Sequence, residues 1–537
     1  MSNPTQSLPA FNWDLPYRSQ KLPVLADNVV STSQPLASQA GLLMMSQGGN
    51  AVDAALAAAI ALTVVEPVMN GIGGDLYAMV WHKGKLHSLN ATGRSPAAWT
   101  PERFSGLEAM PKFGWQSVTV PGQVEGWKVL SDRFGKLPFQ KLFEPAIRYA
   151  TGGFPVSPLV AAHWPFVAGW VKDQPGFGDA FLRQGRAPAP GERWSFPDQA
   201  RTLQLIAETK GEAFYTGAIA EAIVAWSNKT GGDLCMEDLA SNTADWVEPI
   251  SRNYRGVDVH EIPPNGQGIA ALMALGIAEQ FDLAALGVDS PLYYHVLIES
   301  MKAAFADLHA FVGDSSAMTV SVSDLLSNSY LSERSRLIDM KRASDMHPGR
   351  PGMGGTVYLA TGDQEGTMVS FIQSNYLGFG SGIVVPGTGI ALHNRGSSFS
   401  LRSGHPNQVG PRKRPLHSII PAFMTKDDKP LMAFGVMGGN MQAQGHLQIV
   451  SRMIDHQQNP QAASDAPRFL VNHDDNTLML EAHAGEEVSK ELLNMGHAVD
   501  VKPTGFIRFG SGQFVYKLES GYLGASDSRR DGQAVGF

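Results

Sequence analysis

Cysteine is almost absent from this chain. A single residue, Cys235, stands among 537, which excludes an intrachain disulfide and any zinc cluster built on thiolates, and suits a reducing compartment. Charge of one sign is scarce too. The 42 basic and 50 acidic residues leave a net charge of −8, and the local basic tract Arg412-Lys413-Arg414 is too short for a nucleic-acid surface. Long apolar runs are also missing. The most apolar helical stretch, Ala54 to Val65, has twelve residues where a bilayer span needs ~20, so it reads as a buried core helix and no membrane partner is expected. Pro9, Asp14, Pro16, Arg18, Lys21 and Pro23 interrupt the first thirty residues, leaving no secretory-type apolar segment. A cytoplasmic protein is expected.

Common catalytic signatures are lacking as well. There is no Gly-x-Ser-x-Gly elbow and no His-Glu-x-x-His helix, so neither a serine-hydrolase triad nor a zinc protease is signalled. The run Gly378-Phe379-Gly380-Ser381-Gly382 has neither a Walker lysine nor dinucleotide-fingerprint spacing. His393, His405 and His417 match no metal-cluster spacing. No metal and no cofactor are expected.

What is present is a long alternation of elements without internal repeats. Helical spacing runs over 34–46, with Pro35 in the first turn and Gly48-Gly49 as the stop. A second, alanine-rich helix is predicted from Ala51 to Val64, ended by Pro67 before the loop Gly71-Ile72-Gly73-Gly74. Strands are predicted at Tyr77 to Trp81 and Lys85 to Leu89 around Gly84. From about 120 to 345 the pattern is mostly helical, with proline-rich loops over 155–197 and an amphipathic helix at Tyr293 to His309. Residues 315–355 turn polar and irregular, and read as an exposed, extended approach to a cleavage point. Beyond them the character is β. Strands are predicted at Val357 to Thr361, Met368 to Ser374, Ile383 to Val385, Ile419 to Met424 and Leu431 to Val436, then a helix at Gln442 to His456.

Thr356 follows Met353-Gly354-Gly355 and opens the first of these strands. If the Gly355/Thr356 bond is severed, the new terminal residue carries a hydroxyl and a free amine together. An α-amino group has a pKa near ~8, so it can take the hydroxyl proton at neutral pH without a distant histidine. Alone, Thr356 reads more simply as a β-branched strand residue after a glycine loop. Its companions decide. In order along the chain come Gly48-Gly49-Asn50-Ala51-Val52-Asp53-Ala54-Ala55, Asn70-Gly71-Ile72-Gly73-Gly74-Asp75, Thr92-Gly93-Arg94-Ser95-Pro96, Gly355-Thr356, Lys413-Arg414-Pro415-Leu416-His417-Ser418, Gly438-Gly439, Asp465-Ala466-Pro467-Arg468 and Gly524-Ala525-Ser526-Asp527-Ser528-Arg529.

This series resembles the γ-glutamyltranspeptidase family over nearly the whole chain, from about residue 25 to 537. The resemblance implies an α+β fold, the four-layer αββα sandwich of the N-terminal-nucleophile hydrolases, made as a precursor that cleaves itself at Gly355/Thr356. A large fragment 1–355 and a small fragment 356–537 would stay associated around one site, and a dimer of that two-fragment unit is compatible with it. Carried over, Thr356 is the nucleophile, and Gly438 and Gly439 form the oxyanion hole. Arg94 is the grip on the substrate's α-carboxylate, and Ser418 a contact to the same group. Ser374 stands where the family has a threonine bonded to the nucleophile. His417 replaces a serine, and the remaining expected substrate contacts, Tyr376, Arg395 and Ser398, stand for an asparagine, a glutamine and an acidic residue. An ammonium beside Arg395 without its acid would be disfavoured. The resemblance thus implies an amidohydrolase for γ-glutamyl compounds such as glutathione and its conjugates, acting by hydrolysis or by transfer to amino acids or peptides. Glutathione-hydrolase-like proteins and cephalosporin acylases that take glutaryl groups without the α-amine are the similar branches. A non-catalytic small-molecule-binding protein of the same fold is the alternative from another class.

Overall fold

The computed structural model describes residues 20–344, 355–472 and 475–537. The segment 345–354, where the extended approach to the cleavage point was expected, lies outside them. The earlier part of the approach expected over 315–355 is partly helical and not extended: Val322–Leu325 and Asn328–Ser335 form short helices whose N-caps, Ser321 and Ser327, accept from the backbone N–H of Asp324 and Tyr330.

The molecule is built on two seven-stranded sheets in which every neighbouring pair is antiparallel. One runs in the order Val24–Ala26, Tyr522–Ser526, Ser511–Lys517, Lys429–Met437, Ala422–Lys426, Val257–Glu261 and Ile250–Tyr254. The other runs Gln533–Gly536, Val29–Thr32, Gly355–Gly362, Met368–Tyr376, Asp75–His82, Lys85–Ala91 and Asp245–Val247. Three hydrophobic cores stack them into layers. Tyr77, Met79, Tyr358, Ile372, Phe423 and Val515 pack between the sheets. A second core joins Val357, Leu359, Val369 and Phe371 to the helices around Ala51–Val65. A third joins Met424, Phe434 and Val436 to Gly268–Ala278, Pro291–Phe311 and Met441–Ile454. Helix, sheet, sheet, helix is the αββα order.

The strand starting at Gly355 shows why the fold needs this sequence. Side chains alternate across a strand, so Val357 and Leu359 enter the helical core while Tyr358 and Ala360 enter the inter-sheet core. Its partner, Met368–Tyr376, is buried along its whole length, and its polar members are paired as burial demands. Gln373 donates to Ala59 O at 2.7 Å and to Asn70 Oδ1 at 2.8 Å, and Ser370 meets the Tyr358 hydroxyl at 2.6 Å.

Several expectations need correction. Three strands, Asp245–Val247, Ile250–Tyr254 and Val257–Glu261, lie inside the region read as mostly helical. The helix Pro291–Phe311 is not amphipathic, since residues 293–305 are buried without a break. The strand predicted from Ile419 begins at Ala422. Ile419 N–H donates to His417 Nδ1 at 3.3 Å and Ile420 N–H to Gln442 Oε1 at 2.9 Å, while Pro421 has no N–H to give. The ladder has no free donor before Ala422. Among the described residues, no helix is long and apolar enough to cross a membrane.

Two helices are set against the Thr356 sheet with unusual closeness. Pro35–Ser46 is capped by Gln34 and Ala51–Val65 by a reciprocal Asn50/Asp53 box, and all fifteen residues of the second are buried. At Gly41 a β-carbon would lie 2.8 Å from Ala54 O and 3.1 Å from Val30 Cγ1. Helix propensity alone favours alanine over glycine by ~1 kcal/mol. Here overpacking against a backbone carbonyl should outweigh it, so Gly41→Ala is expected to lower stability by about 1–2 kcal/mol. A thermal melt checks the sign: an unchanged or raised midpoint would mean that the two helices separate freely.

Candidate active site

The sheet pairing around Thr356 is irregular, and the irregularity aims its side chain. Gly355 pairs with Tyr376 but Val357 pairs with Gln373, so Ser374 and Asn375 together face Thr356. Such a bulge twists the ladder locally and redirects a residue. Thr356 Oγ1 donates to Ser374 Oγ at 3.2 Å and accepts from Gln442 Nε2 at 3.4 Å. Ser374 Oγ also accepts from Tyr376 N–H at 2.7 Å. Tyr376 carries φ +75°, a left-handed conformation that is costly for a side-chain-bearing residue and typical of functional sites.

Gly438 and Gly439 close the strand Lys429–Met437 and precede the fourteen-residue helix Met441–Ile454. Their φ values, +129° and +63°, are ones that glycine takes without strain. They therefore stand at a helix N-terminus, where backbone dipoles favour negative charge. Gln442, in the first turn of that helix, joins this end to Thr356. It was not anticipated from sequence, although its place four residues after Gly438 was the available signal.

Behind the glycine pair lies a buried ionic network. Arg468 meets Asp527 at 2.6 Å and donates to Phe509 O at 2.8 Å. Asp527 accepts from Gly512 N–H at 2.8 Å, and Arg529 pairs with Glu481. Burial would raise the Asp527 carboxyl, yet Arg468 and Arg529 hold it well below the usual carboxylate range. The network fixes the loop 505–512, whose Gly510 presses against the strand end: a β-carbon there would lie 2.0 Å from Met437 O, and one on Gly438 would lie 3.0 Å from Gly510 Cα. The Asp465–Arg468 and Gly524–Arg529 motifs thus buttress the glycine pair.

A cavity of about 1130 Å³ opens beside this group, lined by Tyr376, Arg395, Ser398, His417, Ser418 and Asn440 among others. Arg395 is buried, its guanidinium 3.9 Å over the Tyr376 ring, and it donates to Ser418 Oγ at 3.0 Å. Burial pulls its pKa down to about 10, which leaves it charged at neutral pH. The Ser398 hydroxyl is turned to backbone, its oxygen 2.8 Å from both Arg395 O and Leu416 O, which share its one proton.

His417 donates through Nε2 to Asp75 Oδ2 at 3.0 Å, and its Nδ1 accepts from Ile419 N–H, which fixes the neutral tautomer. Burial, reinforced by Arg395, pushes its pKa down to about 3. Asp75 stays ionised despite burial because His393 and His417 face it and Gly93 and Gly122 donate to it at 3.0 and 3.1 Å, holding it at about 2. The Asp75 and His393 pairing was missed, although Asp75 closes the Asn70–Asp75 glycine motif. His405 lines the same cavity as His417, its Nε2 2.7 Å from His309 O.

Arg94 is not brought to this cavity. Its guanidinium lies 3.6 Å from Asp245 with the side chain 39% exposed, and Nη1 reaches Arg412 O at 3.4 Å.

Gly510→Ala tests the buttress. By displacing Met437 and Gly438 it should lower kcat by about 10²-fold, the loss that accompanies removal of one oxyanion donor, while KM changes little. Circular dichroism would verify the fold, and an unchanged kcat in a folded variant would detach the 505–512 loop from the chemistry.

Comparison with known proteins places these features. The family model described as gamma-glutamyltranspeptidase matches residues 37–537. The glutathione hydrolase-like YwrD proenzyme of Bacillus subtilis is 36% identical over 513 residues, covering 94% of this chain and 97% of that protein. The oxamate amidohydrolase proenzyme of Klebsiella pneumoniae is 33% identical over 514 residues, with 94% and 97% covered. Among solved structures, the cephalosporin acylase from Bacillus halodurans superposes with a TM-score of 0.94 at 46% identity, covering 99% of both chains. With its layers, its strand-opening threonine and its ordered motifs in place, the chain belongs to the γ-glutamyltranspeptidase family, on the N-terminal-nucleophile hydrolase fold.

Proposed function

We propose that the chain is an autoprocessed amidohydrolase that cleaves γ-glutamyl amide bonds, those of glutathione and its conjugates included, through an acyl-enzyme on Thr356. The observation that carries the reading is the position of Thr356 Oγ1, held between Ser374 and Gln442 beside the glycine pair at a helix N-terminus. Cleavage at Gly355/Thr356 turns the Thr356 nitrogen into an α-amine. That amine takes the hydroxyl proton, and the oxygen attacks the amide carbonyl. The N–H groups of Gly438 and Gly439 receive the oxyanion. The amine then returns the proton to the leaving nitrogen, and water, or a second amine in transfer, releases the acyl group.

The two fragments, 1–355 and 356–537, would remain one unit. In the Thr356 sheet, strands from the two sides of the cut are hydrogen-bonded neighbours: Val29–Thr32 lies against Gly355–Gly362, and Asp75–His82 against Met368–Tyr376. In the other sheet Ala422–Lys426 pairs with Val257–Glu261. Separation would open both sheets and all three cores. A second reading, an acylase for glutaryl-type groups without the α-amine, is favoured by one feature: no carboxylate is ion-paired with Arg395 among the described residues, and Ser398 offers none.

Denaturing gel electrophoresis of the purified chain, followed over days, tests the proposal. The expected result is two fragments of 355 and 182 residues (537 − 355) with hydrolysis of a γ-glutamyl anilide. Thr356→Ala should leave one full-length band and no turnover, and Thr356→Ser should keep part of both. A wild-type chain that stays intact and inactive would favour the non-catalytic binding protein, and efficient cleavage of the alanine variant would refute a shared nucleophile.

A further inference from the structure

Gln442 carries an amide whose polarity is fixed. Its side chain is buried, and its oxygen Oε1 accepts from Ile420 N–H at 2.9 Å. A backbone N–H can only donate, so the amide oxygen must face Ile420 and the nitrogen must face the other way. Nε2 then lies 3.4 Å from Thr356 Oγ1. The backbone that carries this amide is held as well: Gln442 N–H bonds to Gly439 O at 3.2 Å, and the same carbonyl accepts from Gln267 Nε2 at 2.9 Å. With Gln442 donating to it, Thr356 Oγ1 turns its own proton toward Ser374 Oγ, 3.2 Å away.

We propose that Gln442 is a further catalytic residue, a permanent hydrogen-bond donor to the nucleophile oxygen. This rests on the proposed amidohydrolase reading and adds a group to it. When the Oγ1 proton passes to the Thr356 amine, negative charge grows on Oγ1 until its bond to the carbonyl carbon forms, and it grows again when that bond breaks to release the acyl group. A donor already in place steadies this charge without reorganising, and the contact tightens as the charge develops. Gln442 keeps both of its own protons throughout. The same oxygen attacks the Gly355 carbonyl in self-cleavage, so the donor serves maturation too.

Gln442→Glu separates this role from a structural one. The variant keeps the side-chain length and an oxygen for Ile420 N–H, so a merely structural contact survives. Ionised, it presents Thr356 with an acceptor where the donor stood; protonated, it offers an O–H instead. Burial raises a carboxyl pKa, so the donor form is present at low pH and is lost as pH rises through that raised value. The titratable groups around it are the Thr356 amine, His417 with Asp75 beside Ile419, Arg395 on Ser418, and the His446–Glu261 pair one turn along the helix. All are common to both proteins, so the ratio of variant to wild-type kcat isolates the new carboxyl. With a γ-glutamyl anilide that ratio should be about one tenth or less at about pH 8 and should rise about threefold or more at about pH 6. A ratio above one tenth at the higher pH, or a low ratio that stays flat between the two, would overturn the proposal. Should the variant fail to fold by circular dichroism, Gln442→Met decides: a loss of kcat of about tenfold or more supports the donor, and a smaller loss overturns it. An inactive wild-type chain would remove the amidohydrolase reading itself, whereas an active wild type beside an equally active Gln442→Glu would remove this inference alone.

Discussion

The pairing of Gly355–Gly362 with Met368–Tyr376 is the constraint on which the rest of the structure depends. These neighbouring strands occupy the middle of a seven-stranded sheet covered on one face by helices and on the other by a second sheet. A slip of one residue would send Val357 and Leu359 into the inter-sheet core and Tyr358 toward the helices, so the register has no low-cost alternative. Within that fixed frame the bulge opposite Thr356 is a local exception. Ser374 and Asn375 share one partner, Tyr376 takes φ +75°, and Thr356 Oγ1 reaches Ser374 where the ladder would otherwise run on. A strained turn at the end of a rigid strand survives because the surrounding sheet over-determines it.

Electrostatics around the cavity follow from burial rather than from net charge. Asp75, His393, His417 and Arg395 are all withdrawn from water, and each charge must be accounted for by a neighbour. Asp75 is satisfied by two backbone N–H groups and a histidine. His417 is neutral because burial and Arg395 both oppose a further positive charge. Among the described residues, Nε and Nη2 of Arg395 have no hydrogen-bond partner, and neither has Nδ1 of His393. Arg94, half-exposed, lies 3.6 Å from Asp245, a carboxylate that it shares with Arg414.

Much of this was legible in the sequence wherever local chemistry and global fold agree. The two N-terminal helices announced themselves through Pro35, Gly48-Gly49 and Pro67, and the hairpin after Thr356 through two apolar runs around Gly362 and Gly366. What escaped was decided by tertiary partners. The strands at Ile250–Tyr254 and Val257–Glu261 are short and only half-apolar, and their alternation is meaningful only once Ala422–Lys426 lies beside them. The Pro291–Phe311 helix looks two-faced because Glu299 and Lys302 are charged, yet they pair with each other at 2.9 Å inside the protein. At the site, motif order singled out Thr356, Ser374 and the glycine pair, which the fold brings near one another, but position in a motif could not say which way Arg94 points.

The division of labour between chemistry and specificity is visible in which elements carry each. Thr356, Ser374, Gly438 and Gln442 belong to the ends of core strands and the first turn of a buried helix, positions that three packed cores hold still. Arg395, Ser398, His417 and Ser418 belong to a short 3₁₀ turn and a loop held by side-chain to backbone bonds, such as Asn407 to Leu416 N–H and Ser398 to Leu416 O. Changing the first set disturbs the sheets. Changing the second alters charge and shape at the cavity wall while the frame remains. One fold can therefore hold the elements around Thr356 fixed while the residues of the cavity wall vary.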